Sequence, residues 1–225
     1  MQPLAPVCFV SGRRRSHAPR PILHTLSDTV AEALSEAMQV LCCGEESAVL
    51  AFRGLMRQRR LPQAAIRCCQ IIAREEIQHE ALLRDLRGSL PSPRRDSGLI
   101  DAITHFYQSL AHQDMLRHLM QICALDSGAC VIFAALCKAG KPLRNDAVVH
   151  RIFAAIHHDE ARHTRASRAM VRELAAPGDY RTCMIETREK LAHLVLCRAA
   201  ALETLHVDPD QLRRHLVHVP VALLS

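Results

Sequence analysis

The sequence predicts an all-α protein: a four-helix bundle with an additional C-terminal helix. Three observations carry that expectation. The 225 residues hold only 8 Gly and include long stretches free of Pro, so few positions break a helix. Apolar residues recur at helical rather than alternating spacing. Hydrophobic residues make up 49 % of the chain, yet aromatics are only 3 % and Trp is absent, so Leu, Ala, Ile, Val and Met must fill the core. The length suits one domain over 26–225 with an extension before it.

Residues 1–25 hold four prolines, four arginines and no acid, and are expected to form a flexible basic N-terminal arm. A first helix starts after Ser27 or Asp28, either of which can cap it. Its apolar series is Val30, Leu34, Met38, Leu41, Ala48, Phe52 and Leu55. Leu61-Pro62 interrupts it, and Pro62 suits the first turn of a second helix running to Gly88. So short a connection makes the two helices antiparallel neighbours. Ser89 to Ser97 is a linker by composition. A long helical region then covers about Leu99 to Ala139, with a break expected at Ser127-Gly128 or near His112. Gly140 to Asn145 is a second connection. A fourth helix covers about Asp146 to Ala175 and ends at the Pro-Gly-Asp of 177–179. A fifth covers about Arg181 to His206, followed by a short tail containing Pro209 and Pro220.

The formal net charge is +6 with a pI near 8.9. Only Lys138, Lys141 and Lys190 are lysines, so the basic character is almost entirely arginine. Such a balance admits an acidic partner or nucleic acid, but the arginines are scattered and lack aromatic interleaving, which disfavours nucleic acid. Ten cysteines without a C-x-x-C are expected to be free thiols of a cytoplasmic protein. No secretory signal and no apolar run of transmembrane length is expected, and hence no membrane partner.

Chemistry concentrates in a partial repeat. Glu76-x-x-His79 lies in the second helix and Glu160-x-x-His163 in the fourth. Positions i and i+3 share a helix face, so each Glu and His can reach one point. Two such helices, with one carboxylate from each of two others, can hold a pair of metal ions. The first helix offers Glu45 or Glu46, and periodicity does not choose between them. The third offers Asp126, the only acid between His118 and Lys138, embedded in apolar residues where an unpaired carboxylate is costly. The 30 residues from Glu46 to Glu76 and the 34 from Asp126 to Glu160 bring these acids to similar depth in two antiparallel hairpins.

With these motifs over residues 28–175, the chain resembles the ferritin-like di-iron or di-manganese carboxylate superfamily, nearer to its small-molecule oxygenases and oxidases than to storage ferritins. The resemblance implies two iron ions, with manganese as the alternative. Gly44-Glu45-Glu46-Ser47 is similar to the first-helix context of rubrerythrin-type members and selects Glu46. The implied ligands and catalytic residues are Glu46, Glu76, His79, Asp126, Glu160 and His163. Asp126 departs from the Glu usual there and is one methylene shorter. The stretch His158 to His163 also looks like the fourth-helix motif of arylamine N-oxygenases, which carry an extra histidine ligand; here His157 stands for it, three residues before Glu160.

Neighbouring residues have plainer readings. Glu75, Glu80 and Asp159 suit ion pairs with Arg74, Arg84 or Arg162, the alternative being a hold on a ligand histidine. Cys123, Cys130 and Cys137 share a face and suit small core positions, as do Cys42 and Cys69. Tyr107 is a core residue or a redox tyrosine. Basic charge argues against iron storage, and the missing C-x-x-C against a rubrerythrin-like peroxidase. An O2-dependent non-heme di-iron oxidoreductase acting on a small organic substrate remains. It would draw electrons from an external donor or from the substrate, and a homodimer is compatible with it. The alternatives are a tRNA-base hydroxylase of the same superfamily and a non-catalytic helical interaction protein with a degenerate metal site.

Overall fold

The computed structural model describes residues 22–57, 61–94, 96–110, 114–174 and 181–218. Among the described residues there are helices and no strand. In chain order they are α1 (Asp28–Met56), α2 (Gln63–Gly88), α3 (Ser97–Ser109), α4 (Met115–Cys137), α5 (Pro142–Asn145), α6 (Ala147–Leu174), α7 (Arg181–Leu196), α8 (Ala199–Thr204) and α9 (Pro209–Val217). The described residues are therefore all-α. The long helices pack as two pairs, α1 with α2 and α4 with α6; α2 also meets α6 and α1 touches α4. α7 lies on α4, α8 on α1, and α9 on α7 and α4.

The apolar core is split in two. One cluster joins Leu34, Met38 and Leu41 of α1 to Leu83 and Leu86 of α2, Phe133 and Leu136 of α4, and Phe153 and Ile156 of α6. The other joins Phe52 and Leu55 of α1 to Cys69 and Ile72 of α2, Leu119 and Cys123 of α4, and Met170 of α6. Each cluster takes the opposite end of α1 from α2, and of α4 from α6, so both pairs run antiparallel. Between the clusters every long helix contributes buried polar residues: Glu45, Glu76 with His79, Asp126 with Ser127, and Glu160 with His163 and Ser167. Burying that many polar groups in one layer is costly unless they satisfy one another or bind something.

Several expected boundaries move. The long third region is interrupted between Ser109 and Met115, while Ser127-Gly128 lies inside α4. Gly128 packs beneath α7: a Cβ on it would stand 2.6 Å from Leu191 Cδ2, so any larger residue would have to turn that leucine aside. The expected fifth helix is two, α7 and α8, and the expected tail contains α9, started by Asp208 accepting from Gln211 N–H and by Pro209 in its first turn. The apolar α4 does have the length and composition of a membrane span, contrary to expectation; 67 % of that stretch is buried inside the protein, as in a central core helix. The arm over 1–21, His112, the Pro-Gly-Asp of 177–179 and Pro220 lie outside the described residues. Within the rest of the arm, Thr25 donates through N–H and Oγ1 to Asp146, and the His24 ring lies 3.2 Å from the Ser89 carbonyl.

Candidate metal centre

Helical repeat places the inner groups. Glu76 and His79 lie one turn apart on the buried face of α2, and Glu160 and His163 do the same on α6. Glu45 faces inward from α1. Ligand atoms of Glu45, Glu76, His79 and Glu160 all come within 4.8 Å of one another. His79 Nδ1 is 3.4 Å from Glu45, 3.5 Å from Glu76 and 3.4 Å from Glu160. His163 Nδ1 is 2.9 Å from Glu76 and 3.5 Å from Glu160. The rings stand 5.7 Å apart.

An outer set of charges fixes both rings. His79 Nε2 lies 3.2 Å from Asp159, and His163 Nε2 lies 2.9 Å from Glu75. The exchange is reciprocal: α6 holds the histidine of α2, and α2 holds that of α6. Arg162 links the two outer carboxylates, at 3.1 Å from Glu75 and 2.6 Å from Asp159. A carboxylate accepting the Nε2 proton leaves Nδ1 as the coordinating atom of a neutral ring. The expected pairing of Asp159 and Glu75 with Arg162 is thus present, and so is the hold on the histidines. Glu80 pairs with Arg84 at 3.7 Å.

The sequence-derived residues do not all converge. The tight set contains Glu45, whereas Glu46 is only half-buried and outside it. The cause is helical phase: Glu45 follows Leu41 and Met38 down the inward stripe of α1, and its neighbour is turned about 100° away. Asp126 is buried in the same polar layer, with Ser167 Oγ 3.5 Å from its Oδ2, yet it too stands outside the tight set. His157 is half-buried and outside that set. Arg162 as a bridge was missed as a site feature; its signal was the acid directly preceding each motif glutamate, Glu75 and Asp159.

Electrostatics shift Glu45, Asp126, His79 and His163 toward their protonated forms and Glu76 away from its own. Burial pushes the Glu45 carboxyl well above the usual range, and the Glu76 and Glu160 charges reinforce it against the His79 contact. Burial, followed by the Glu160 and Glu76 charges, pushes Asp126 up as well. Burial would also raise Glu76, but the close approach of His163 and His79 holds it at about 2. Burial would lower His163, but Glu160 and Glu76 carry it to about 11. His79 is likewise held far above its ordinary value, burial being outweighed by Glu160, Glu45 and Glu76.

The donor set fits a metal. Both Glu76 oxygens and both histidine Nδ1 atoms are buried without a well-formed hydrogen bond, although they sit within a few ångströms of each other. Close approach without bonding geometry is what atoms converging on a common ion show. Of the cysteines expected in the core, Cys69 and Cys123 are buried, while Cys42, Cys130 and Cys137 are half-buried; the nine described cysteines are free thiols. Tyr107 is buried with its ring edge-on to Phe106 at 4.9 Å, and its hydroxyl lies 3.1 Å from where a Cβ on Gly44 would stand. Comparison with family models, curated proteins and solved structures finds no match to this chain.

Proposed function

We propose that this chain is an O2-dependent oxidase or oxygenase of the dinuclear iron type, with manganese as the alternative metal, acting on a small organic substrate. The observation that carries the reading is the inner cluster itself: Glu45, Glu76, His79 and Glu160 with their ligand atoms within 4.8 Å of one another, and His163 beside them at 2.9 Å from Glu76, with both rings fixed from outside. In this reading Glu45, Glu76, His79, Glu160 and His163 hold the ions in a four-helix ferritin-like bundle, and Asp126 completes the set on one side. The chemistry the ions supply when bound is activation of O2. Asp159 and Glu75 orient the two rings. The apolar clusters above and below the polar layer keep water from it. Burial pushes the Glu45 and Asp126 carboxyls upward, so in this reading metal uptake competes with protons there.

Anaerobic Fe(II) titration of the full chain tests the reading. The expected result is two iron ions per chain, near-complete loss of iron in Glu76→Ala and in Glu160→Ala, and O2 uptake by the loaded protein. Strong loss is expected in Glu45→Ala and little in Glu46→Ala. Iron retained by both the Glu76 and Glu160 variants would sink the site, and iron bound without O2 uptake would sink the oxidase. Asp126→Glu is expected to keep or raise the metal ratio if Asp126 ligates.

A further inference from the structure

The candidate centre meets solvent through its outer charges, at the seam between α2 and α6. Glu76, His79, Glu160 and His163 are at most 3 % exposed, whereas the side chains of Arg162, Asp159 and Glu75 are 42, 28 and 20 % exposed. Both rings lie along this line, with Nδ1 toward the inner glutamates and Nε2 toward Asp159 and Glu75. The other sides are closed more tightly. α2 packs most closely on α1 and α6 on α4, α7 and α9 cover α4, and apolar clusters fill both ends of the layer. Arg162 spans the seam through one atom. Its Nη2 reaches Asp159 a turn earlier on α6 and Glu75 across on α2, while its Nε is buried and makes no hydrogen bond.

We infer that Arg162 gates the exchange of metal ions between solvent and the centre, which rests on the metal site beneath the oxygenase reading and adds how that site is filled. In place, the guanidinium sets a positive charge at the mouth of the seam and occupies the two carboxylates that would attract a cation. Ion pairs this exposed are weakly held, and an exposed side chain turns within nanoseconds. With Arg162 turned out, Glu75 and Asp159 stand freed on the two sides of the seam, and a divalent ion is drawn to the mouth. Bracing the rings is the plainer role for Arg162. The contacts of His79 with Asp159 and of His163 with Glu75, at 3.2 and 2.9 Å, do not pass through it, however.

Cobalt(II) alone is the probe, added to the full chain and read by its visible absorption. Uptake is timed by stopped flow, and loss by transfer to excess EDTA. Arg162→Ala is expected to speed both uptake and loss about three- to tenfold, with helicity and the saturating metal ratio unchanged. Arg162→Met, which keeps the bulk but cannot bond the carboxylates, should also speed both. Arg151→Ala, at an exposed position about three turns away on α6, should change neither. Faster loss with slower uptake would make Arg162 a brace for the ligands. Faster uptake with slower loss would make it an opposing charge and nothing more. Either result overturns the gate, and so do unchanged rates. Wild-type protein that takes up neither cobalt nor iron would remove the metal centre, and the oxygenase reading with it. Normal cobalt binding with unaltered exchange in Arg162→Ala would remove the gate alone.

Discussion

Each ring nitrogen of His79 faces a carboxylate, inner ones at Nδ1 and Asp159 at Nε2, and His163 repeats the arrangement with Glu75. Removing an outer partner leaves the ligand in place but loosens its ring. Asp159→Asn and Glu75→Gln are therefore expected to weaken metal binding 10- to 100-fold while the saturating metal ratio stays the same, as an equilibrium chelator competition would show. Protonation sets a second expectation. A raised histidine value stabilises the metal-free fold fully below the ordinary 6.5, and for His163 that contribution is lost only as pH rises through about 11. Everywhere below about 11 the ion must displace the proton. Apparent metal affinity should thus rise with pH, about tenfold per unit for each proton displaced, and calorimetry in buffers of different ionisation enthalpy should register proton release. At this scale the sequence was readable where spacing alone decides, as for Glu76 with His79 and Glu160 with His163. It was not readable at Glu45 against Glu46, where neighbouring residues both border the stripe and only the rotational setting of α1 in the fold decides. Nor was the cross-helix hold of Asp159 readable, since it depends on how α2 and α6 face each other.

α6 shows how a single element is anchored. Asp146 precedes its first residue and accepts from Val148 and Val149 N–H at 3.0 and 2.9 Å, while its other oxygen receives Thr25. Burial would raise this carboxyl, but donation from Val149 and Thr25 keeps it below the usual range. Asp146→Ala should cost about 1–2 kcal/mol in urea unfolding. The wild-type advantage over that variant is present above the ordinary carboxylate value near 3.8 and shrinks as pH falls through the lowered one. The start of α6 was legible because Asp and the preceding connection are capping chemistry. The helix breaks were harder. Ser127-Gly128 has the composition of an interruption, yet it lies inside α4 with Leu191 of α7 packed against Gly128, and a contact 63 residues away in sequence is invisible to local pattern. Likewise α9 was hidden in nine residues that local pattern reads as tail, and its helix is sustained by burial of Leu212 and Leu216.

Across the molecule, α9 is joined to α4 by one side chain. Arg188 of α7 is 1 % exposed, donates to the His215 carbonyl at 3.0 Å and to Ser127 Oγ at 2.9 Å, and reaches the Leu216 carbonyl as well. Burial draws its guanidinium down to about 10, which still leaves it charged at neutral pH. Among the described residues no carboxylate bonds it, and three oxygen acceptors share its charge. Arg188→Met should lower stability by about 2–4 kcal/mol in denaturant unfolding, because the last carbonyls of α9 lose their donors inside the core. The all-helical class was legible from composition and periodicity, since both reflect burial averaged over many residues. How the accessory helices cover α4 was not, because it rests on single contacts of this kind.

The reciprocal grip between α2 and α6 also bears on how the chain reaches its final form. Sliding one helix past the other by a turn would cost two bonds at once, those of His79 with Asp159 and of His163 with Glu75. The polar layer is therefore a registration mark between the two hairpins, legible to the folding chain only after both have formed. Metal uptake would then serve as quality control: a mis-seated pair offers no converging donors, so only correctly assembled molecules would be locked by the ion.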